Sequence, residues 1–239
     1  MCVARSLPNL KQTRAACEKA APGCKVEVFA ADVCDNGAMR EALEATAAAF
    51  GGITALVHNV GLNQRQGVMN DTPSTYKTLD RVIDVSLRSV MHLTVAAMPY
   101  LLKHAYSDHA TASPLQRNRP TSHIVFVSSL MAKQFTMTPG HSAYVTAKHG
   151  MEGFAESLWS EVRQNGVRVS TIYPGLVNTD MGAGFEKEFG KMVDRHVPAS
   201  AYLQPSDIAD AVTAVLNAPP SATICEVRRG RLECTPCRD

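Results

Sequence analysis

The sequence carries little surplus charge: 24 Lys and Arg against 22 Asp and Glu leave a formal net charge of +2, with no basic run. That balance argues against a nucleic-acid partner, which requires clustered cations to meet the phosphates. No uninterrupted apolar stretch reaches the roughly 20 residues that a membrane span requires, so no membrane association is expected. The opening Met-Cys-Val-Ala-Arg-Ser has no apolar signal core, and a cytoplasmic location is expected over secretion. The seven cysteines (Cys2, Cys17, Cys24, Cys34, Cys225, Cys234 and Cys237) are odd in number and scattered. This is unlike a secreted disulfide framework. Cys234 and Cys237 form a C-x-x-C pair near the C-terminus, without a strand-to-helix setting or further zinc ligands nearby. A loose tail over 229–239 is therefore expected, and no metal site.

What is present is a chain of 239 residues, 45% hydrophobic and 19% charged, enough to bury one large core. Short β-rich runs at Val26–Ala30, Ile53–His58, His123–Ser128, Val167–Tyr173 and Thr223–Arg228 alternate with helical patterns. The helical periods lie at about 8–20, 36–49, 74–103, 142–164 and 205–217. Strands that alternate with long helices imply βαβ units, hence an α/β fold with a doubly wound parallel sheet. No internal repeat interrupts the rhythm, and residues 1–239 read as a single domain. Two segments depart from it. Residues 104–122 are polar and aperiodic, with two prolines, and read as a surface insertion. Residues 181–203 follow the carboxyl end of a strand, where open α/β sheets bind ligands, and read as a substrate lid.

Chemistry concentrates in the 142–164 helix. Tyr144 and Lys148 lie four positions apart and so share one helical face. A free tyrosine has a pKa of about 10, too high for easy proton exchange at neutral pH. A nearby ammonium favours the phenolate and is expected to lower that pKa, fitting Tyr144 for acid–base work. Ser129 ends the preceding strand, where its hydroxyl can hydrogen-bond a substrate carbonyl. The three together can polarise a carbonyl and protonate its oxygen while a cofactor supplies hydride.

Around them stands an ordered set: Asp32-Val33 after the strand at 26–30, His58-Asn59-Val60-Gly61, Val127-Ser128-Ser129, Tyr144-Val-Thr-Ala-Lys148, and Pro174-Gly175-Leu176-Val177-Asn178-Thr179. In these motifs and their order the chain resembles the short-chain dehydrogenase/reductase family, across roughly residues 1–180. The resemblance implies a Rossmann-like fold and an oxidoreductase that interconverts an alcohol and a carbonyl. Tyr144 would be the proton donor or acceptor, Lys148 its activator and a ribose ligand, and Ser129 the substrate-orienting hydroxyl. Asp32 and Val33 would border the adenine, Asn59 and Gly61 would lie along the cofactor, and Pro174, Gly175, Val177 and Thr179 would embrace the nicotinamide. Arg5 falls where the family's second strand ends. An arginine there pairs with the 2′-phosphate of NADP, where an acidic residue would bind the ribose of NAD, so NADP is expected over NAD.

The family's opening strand, its glycine-rich turn and the helix that holds the pyrophosphate have no counterpart in the sequence. That strand is a central one, between the second and fourth. Its absence predicts either that those two strands close the gap or that the native protein has an upstream segment. The alternative function is accordingly a non-catalytic scaffold of the same fold. Ser86 occupies the position of the family's active-site asparagine, and His58 replaces the first Asn of N-N-A-G. The resemblance further implies a homodimer or homotetramer built on the 74–103 and 142–164 helices. Val145, Phe154, Leu158 and Trp159 suit either that interface or a core.

Overall fold

Several helices begin at a capping side chain, and the longest strands, Ser122–Val127 and Val167–Pro174, are rich in β-branched residues. The computed structural model describes residues 1–107, 122–133, 139–181, 202–219 and 222–230. Most of the expected insertion at 104–122, most of the expected lid at 181–203, and the tail with Cys234 and Cys237 lie outside the described residues. In chain order the described elements are β1 (Cys2–Ala4), α1 (Leu7–Ala20), β2 (Val28–Ala30), α2 (Asn36–Phe50), β3 (Ala55–His58), α3 (Pro73–Ile83) and α4 (Ser89–Ser107). There follow β4 (Ser122–Val127), α5 (Ser142–Val162), β5 (Val167–Pro174), α6 (Pro205–Leu216) and β6 (Glu226–Arg229).

Each start has a physical reason. Ser6 caps α1 by accepting from the Asn9 amide, and the Asp35 carboxylate accepts from Gly37 and Ala38 at the head of α2. Thr72 caps α3 just before Pro73. Gln204 and Asp207 form a reciprocal capping box on α6. Such caps satisfy backbone donors that the first helical turn leaves unpaired. Gly51 ends α2 in the left-handed region at φ 80°, which glycine adopts without penalty.

Strands β3-β4-β5-β6 form one parallel sheet in that order. Every residue of β4 and β5 is buried, as a parallel sheet covered on both faces requires. One face packs Ile124, Phe126, Val167 and Val169 against Val90, Ala97 and Leu101 of α4 and Met151, Ala155 and Leu158 of α5. The other packs Val125 and Ile172 against Ala211 and Val215 of α6. Helices on both faces make the doubly wound α/β arrangement that the sequence predicts. Leu158 belongs to this core, and Phe154 and Trp159 pack against it.

Strands β1 and β2 form a separate parallel pair. No backbone pairing joins this pair to the larger sheet among the described residues, so β1 and β3 have not closed up on one another. The pair is tied on by side chains instead. Asp32, just after β2, makes a 2.8 Å ion pair with Arg81 of α3, and Asn36 Oδ1 of α2 lies 3.2 Å from His92 Nδ1 of α4.

Two expectations need amending. The uninterrupted 74–103 helix contains a π-helical turn at Asp84–Arg88. Ser89 Oγ donates to the Val85 carbonyl, and Ser86 bonds outside the helix, so local hydroxyls compete with the regular ladder. The stretch Pro73–Ala105 is also long and apolar enough by composition to cross a membrane. A criterion based on unbroken apolar runs misses it. In this fold Val82, Val90, Ala97 and Leu101 of that stretch are fully buried against neighbouring elements.

Candidate active site

The parallel register sets the carboxyl ends of β3, β4 and β5 side by side, with His58 beside Phe126 and Val127 beside Ile172. The chain leaving each strand therefore emerges on one edge, and that edge carries Asn59 to Gly61, Ser128–Ser129 and Pro174 to Thr179. After β4, Ser129 caps a short 3-10 turn, Leu130–Ala132, and its Oγ accepts from the Met131 amide at 3.2 Å. Of the two serines, Ser129 hydrogen-bonds Tyr144; the Ser128 hydroxyl is buried with no hydrogen-bond partner among the described residues.

Helix α5 buries a stripe at positions 143, 144, 147, 148, 151, 155, 158 and 162, the spacing of one helical face. Tyr144 and Lys148 are thus carried into the protein at its first two turns, 7% and 3% exposed. Burial pushes the Tyr144 phenol above its ordinary pKa, and a hydrogen bond with Ser129 pulls it back only in part. Lys148 Nζ lies 5.7 Å from the Tyr144 ring centre and donates to the Val127 carbonyl at 3.0 Å. Desolvation drops its pKa to about 8. In the resting protein the phenol therefore lies above its ordinary pKa rather than below it, with desolvation as the leading cause.

Gly61 faces this pair. A methyl group there would sit 3.5 Å from Lys148 Nζ, in ordinary contact, so the glycine backbone lies directly beside the ammonium. Asn59 is exposed at the same edge. Gly175 is held closely: its amide donates to the Arg229 carbonyl at 2.8 Å, and a Cβ would meet that oxygen at 3.3 Å. Val177 bridges to Leu203: the Leu203 amide donates to the Leu176 carbonyl, and the Leu203 carbonyl accepts from the Asn178 amide. The segment after β5 is in this way pinned beside the residues that precede α6.

Asp32 and Val33, half-buried after β2, sit on the smaller sheet. The Asp32 carboxylate accepts from the Cys34 amide and from Arg81, which together hold it below the usual carboxylate range. Arg5 is exposed at the end of β1, one residue before the Ser6 cap of α1.

Three residues were not assigned by the sequence. Ser86 is fully buried, and its Oγ accepts from the Leu62 amide at 2.9 Å. One hydroxyl suffices to pin the backbone next to Gly61. His58 is buried, within 2.8 Å of Thr94 Oγ1 and stacked on Phe126. Burial first and the Lys148 charge second press its pKa down to about 3, so it is a neutral core residue. Arg81, the partner of Asp32, leaves no local signal because the two lie far apart in sequence.

A family model described as enoyl-(acyl carrier protein) reductase matches residues 3–224. A 2-(R)-hydroxypropyl-CoM dehydrogenase from Xanthobacter autotrophicus is 30% identical over 192 residues, covering 79% of this chain and 69% of that protein. Among solved structures, levodione reductase superposes with a TM-score of 0.78 at 21% identity, over 95% of this chain and 84% of its own. An alcohol dehydrogenase from Thermococcus sibiricus, complexed with 5-hydroxy-NADP, gives 0.75 at 19% identity, over 98% and 86%.

Proposed function

The chain belongs to the short-chain dehydrogenase/reductase family, an oxidoreductase acting on CH–OH groups, and on that premise we propose that it interconverts a small alcohol and its carbonyl with NADP(H), using Tyr144 as proton donor and acceptor. The observation that carries this reading is the buried Tyr144, bonded to Ser129 and flanked by the Lys148 ammonium.

NADP(H), when bound, supplies or accepts the hydride. The protein's own part follows from the geometry. Ser129 Oγ–H donates to the carbonyl oxygen and fixes its direction. Tyr144, with its raised pKa, keeps its proton through the neutral range and delivers it to that oxygen as negative charge develops. Lys148, ionising near 8, is still charged at pH 7 and stabilises the phenolate left behind. Ser86 pins the Leu62 backbone, and with it Gly61, beside the lysine. Pro174, Gly175, Val177 and Thr179 would border the nicotinamide, and Asn59 the neighbouring ribose. Asp32 and Val33 would meet the adenine.

The preference for NADP rests on Arg5, an exposed cation beside the N-terminus of α1, where a phosphate is favoured by charge and by helix geometry. The solved alcohol dehydrogenase that it resembles was complexed with 5-hydroxy-NADP. A cytoplasmic homo-oligomer completes the reading, with Met91 and Val95 of α4 as exposed apolar positions that a second copy would cover.

The test is a fluorescence titration with NADPH and with NADH, followed by a screen of ketones and secondary alcohols. Saturable binding that favours NADPH, together with turnover, is expected. A folded protein that binds neither nucleotide and turns over no substrate rejects the proposal in favour of a non-catalytic scaffold.

A further inference from the structure

Lys133 is the residue that follows the short turn capped by Ser129. Its side chain is 13% exposed, although it belongs to a lysine. The ammonium bonds Glu152 of α5 and Glu226 of β6, the latter at 2.8 Å. It also lies 4.7 Å from the ring centre of Tyr173, on β5. Burial alone would make it a weaker base, but the two carboxylates more than offset that and raise its pKa.

The four elements meeting at this ammonium are the four that carry the site. The turn holds Ser129. Helix α5 holds Tyr144 and Lys148, with Glu152 one turn beyond the lysine. Strand β5 runs from Tyr173 straight into Pro174 and Gly175, and β6 supplies the Arg229 carbonyl that fixes Gly175. Carboxylate oxygens of Glu152, Glu156 and Glu226 all lie within 4.8 Å of one another. Without Lys133 the charges facing this point would be those three carboxylates and Arg228, whose guanidinium is 3.5 Å from Glu226; the Tyr173 phenol is the remaining titratable group. Like charges so close repel. Removing the lysine thus replaces a tie between α5 and β6 by a force that separates them.

We infer that Lys133 is a positioning residue: by neutralising Glu152 and Glu226 it sets α5 against the Ser129 turn and so fixes the Ser129–Tyr144 hydrogen bond. This rests on the catalytic reading of Tyr144, and it has a readout that does not.

The experiment uses the whole chain with Lys133→Met, Lys133→Arg and Glu152→Gln. The first readout is NMR of labelled tyrosine rings at neutral pH, with the Tyr144 resonance assigned by its loss in Tyr144→Phe. The Lys133→Met variant should move that resonance toward the position of a phenol lacking the serine bond, and Lys133→Arg should restore it. The second readout is the pH profile of kcat with NADPH. In Lys133→Met, kcat should fall about tenfold to a hundredfold, the range expected for misplacement by about an ångström. Activity should recover as pH falls, because the crowded carboxylates take up a proton. A folded Lys133→Met with an unmoved Tyr144 resonance overturns the inference. So does a loss of kcat that is independent of pH and not rescued by arginine. If Lys133→Met fails to fold, Glu152→Gln decides, with a smaller displacement of the resonance in the same direction expected and an unmoved one overturning. If the wild type turns over no carbonyl, the catalytic reading fails, while the resonance still decides the positioning.

Discussion

The two sheets of this protein are built to different standards. Strands β4 and β5 are buried along their whole lengths, covered by α4 and α5 on one face and α6 on the other. Strands β1 and β2 pair only with each other among the described residues, over three positions, and Val3 is 42% exposed. A two-stranded pair is marginal by itself. Its attachment rests on a half-exposed ion pair worth about 1 kcal/mol or less and on α2, whose Leu43 packs into the main core. The candidate proton-transfer groups Ser129, Tyr144 and Lys148 sit over the well-packed sheet, where precise placement counts. Candidate nucleotide contacts at Arg5, Asp32 and Val33 hang from the thin one, where a loose fit is tolerable because long side chains and charge do the recognising.

The contrast can be broken or sharpened experimentally. The largest effect is expected over the thick sheet: Tyr144→Phe should lower kcat by about 10²- to 10⁴-fold. Its unfolding free energy should change by only about 1 kcal/mol, the worth of one hydrogen bond, and unchanged turnover would remove the proton-transfer role. Next, Ile172→Ala should cost about 2–5 kcal/mol in urea unfolding, whereas Val3→Ala on β1 should stay within about 0.5 kcal/mol. Equal costs would dissolve the comparison.

Acid should also act on the thick sheet. His58, with a folded pKa of about 3, takes up a proton only on unfolding near pH 5. Its unfolded value is about 6.5, so the unfolded state binds more protons between roughly pH 6.5 and pH 3, and stability falls as pH falls through that window. His58 alone should account for a loss of about 2 kcal/mol between pH 7 and pH 5. Unfolding curves at the two pH values for the wild type and His58→Gln would measure it: the variant should lose about 2 kcal/mol less than the wild type, the remainder including His123, which burial lowers to about 4. The smallest effect is reserved for the thin sheet: Arg5→Ala should weaken NADPH binding about tenfold, near 1.4 kcal/mol, and leave NADH unchanged. Equal losses for both nucleotides would remove the phosphate contact.

Much of this was legible along the chain because it is local. The periods of α1, α2, α5 and α6, the caps at Ser6 and Asp35, and the four-residue spacing of Tyr144 and Lys148 depend on near neighbours. Strand limits were less so. The runs read at 26–30 and 53–58 narrow to Val28–Ala30 and Ala55–His58, because a ladder extends only as far as its partner does. The widened turn at Asp84–Arg88 escaped because it depends on Ser86 finding the Leu62 backbone.

The sequence by itself determined the α/β alternation, the parallel sheet and the membership of Ser129, Tyr144 and Lys148 in one site, since helix periodicity and strand ends are properties of short segments. Only the tertiary structure decided the electrostatics of that site. Burial raises Tyr144, lowers Lys148 and silences His58, and Lys133 gathers Glu152 and Glu226 from two distant elements. Desolvation and long-range charge pairing depend on what surrounds a group in three dimensions, and no spacing along the chain encodes that.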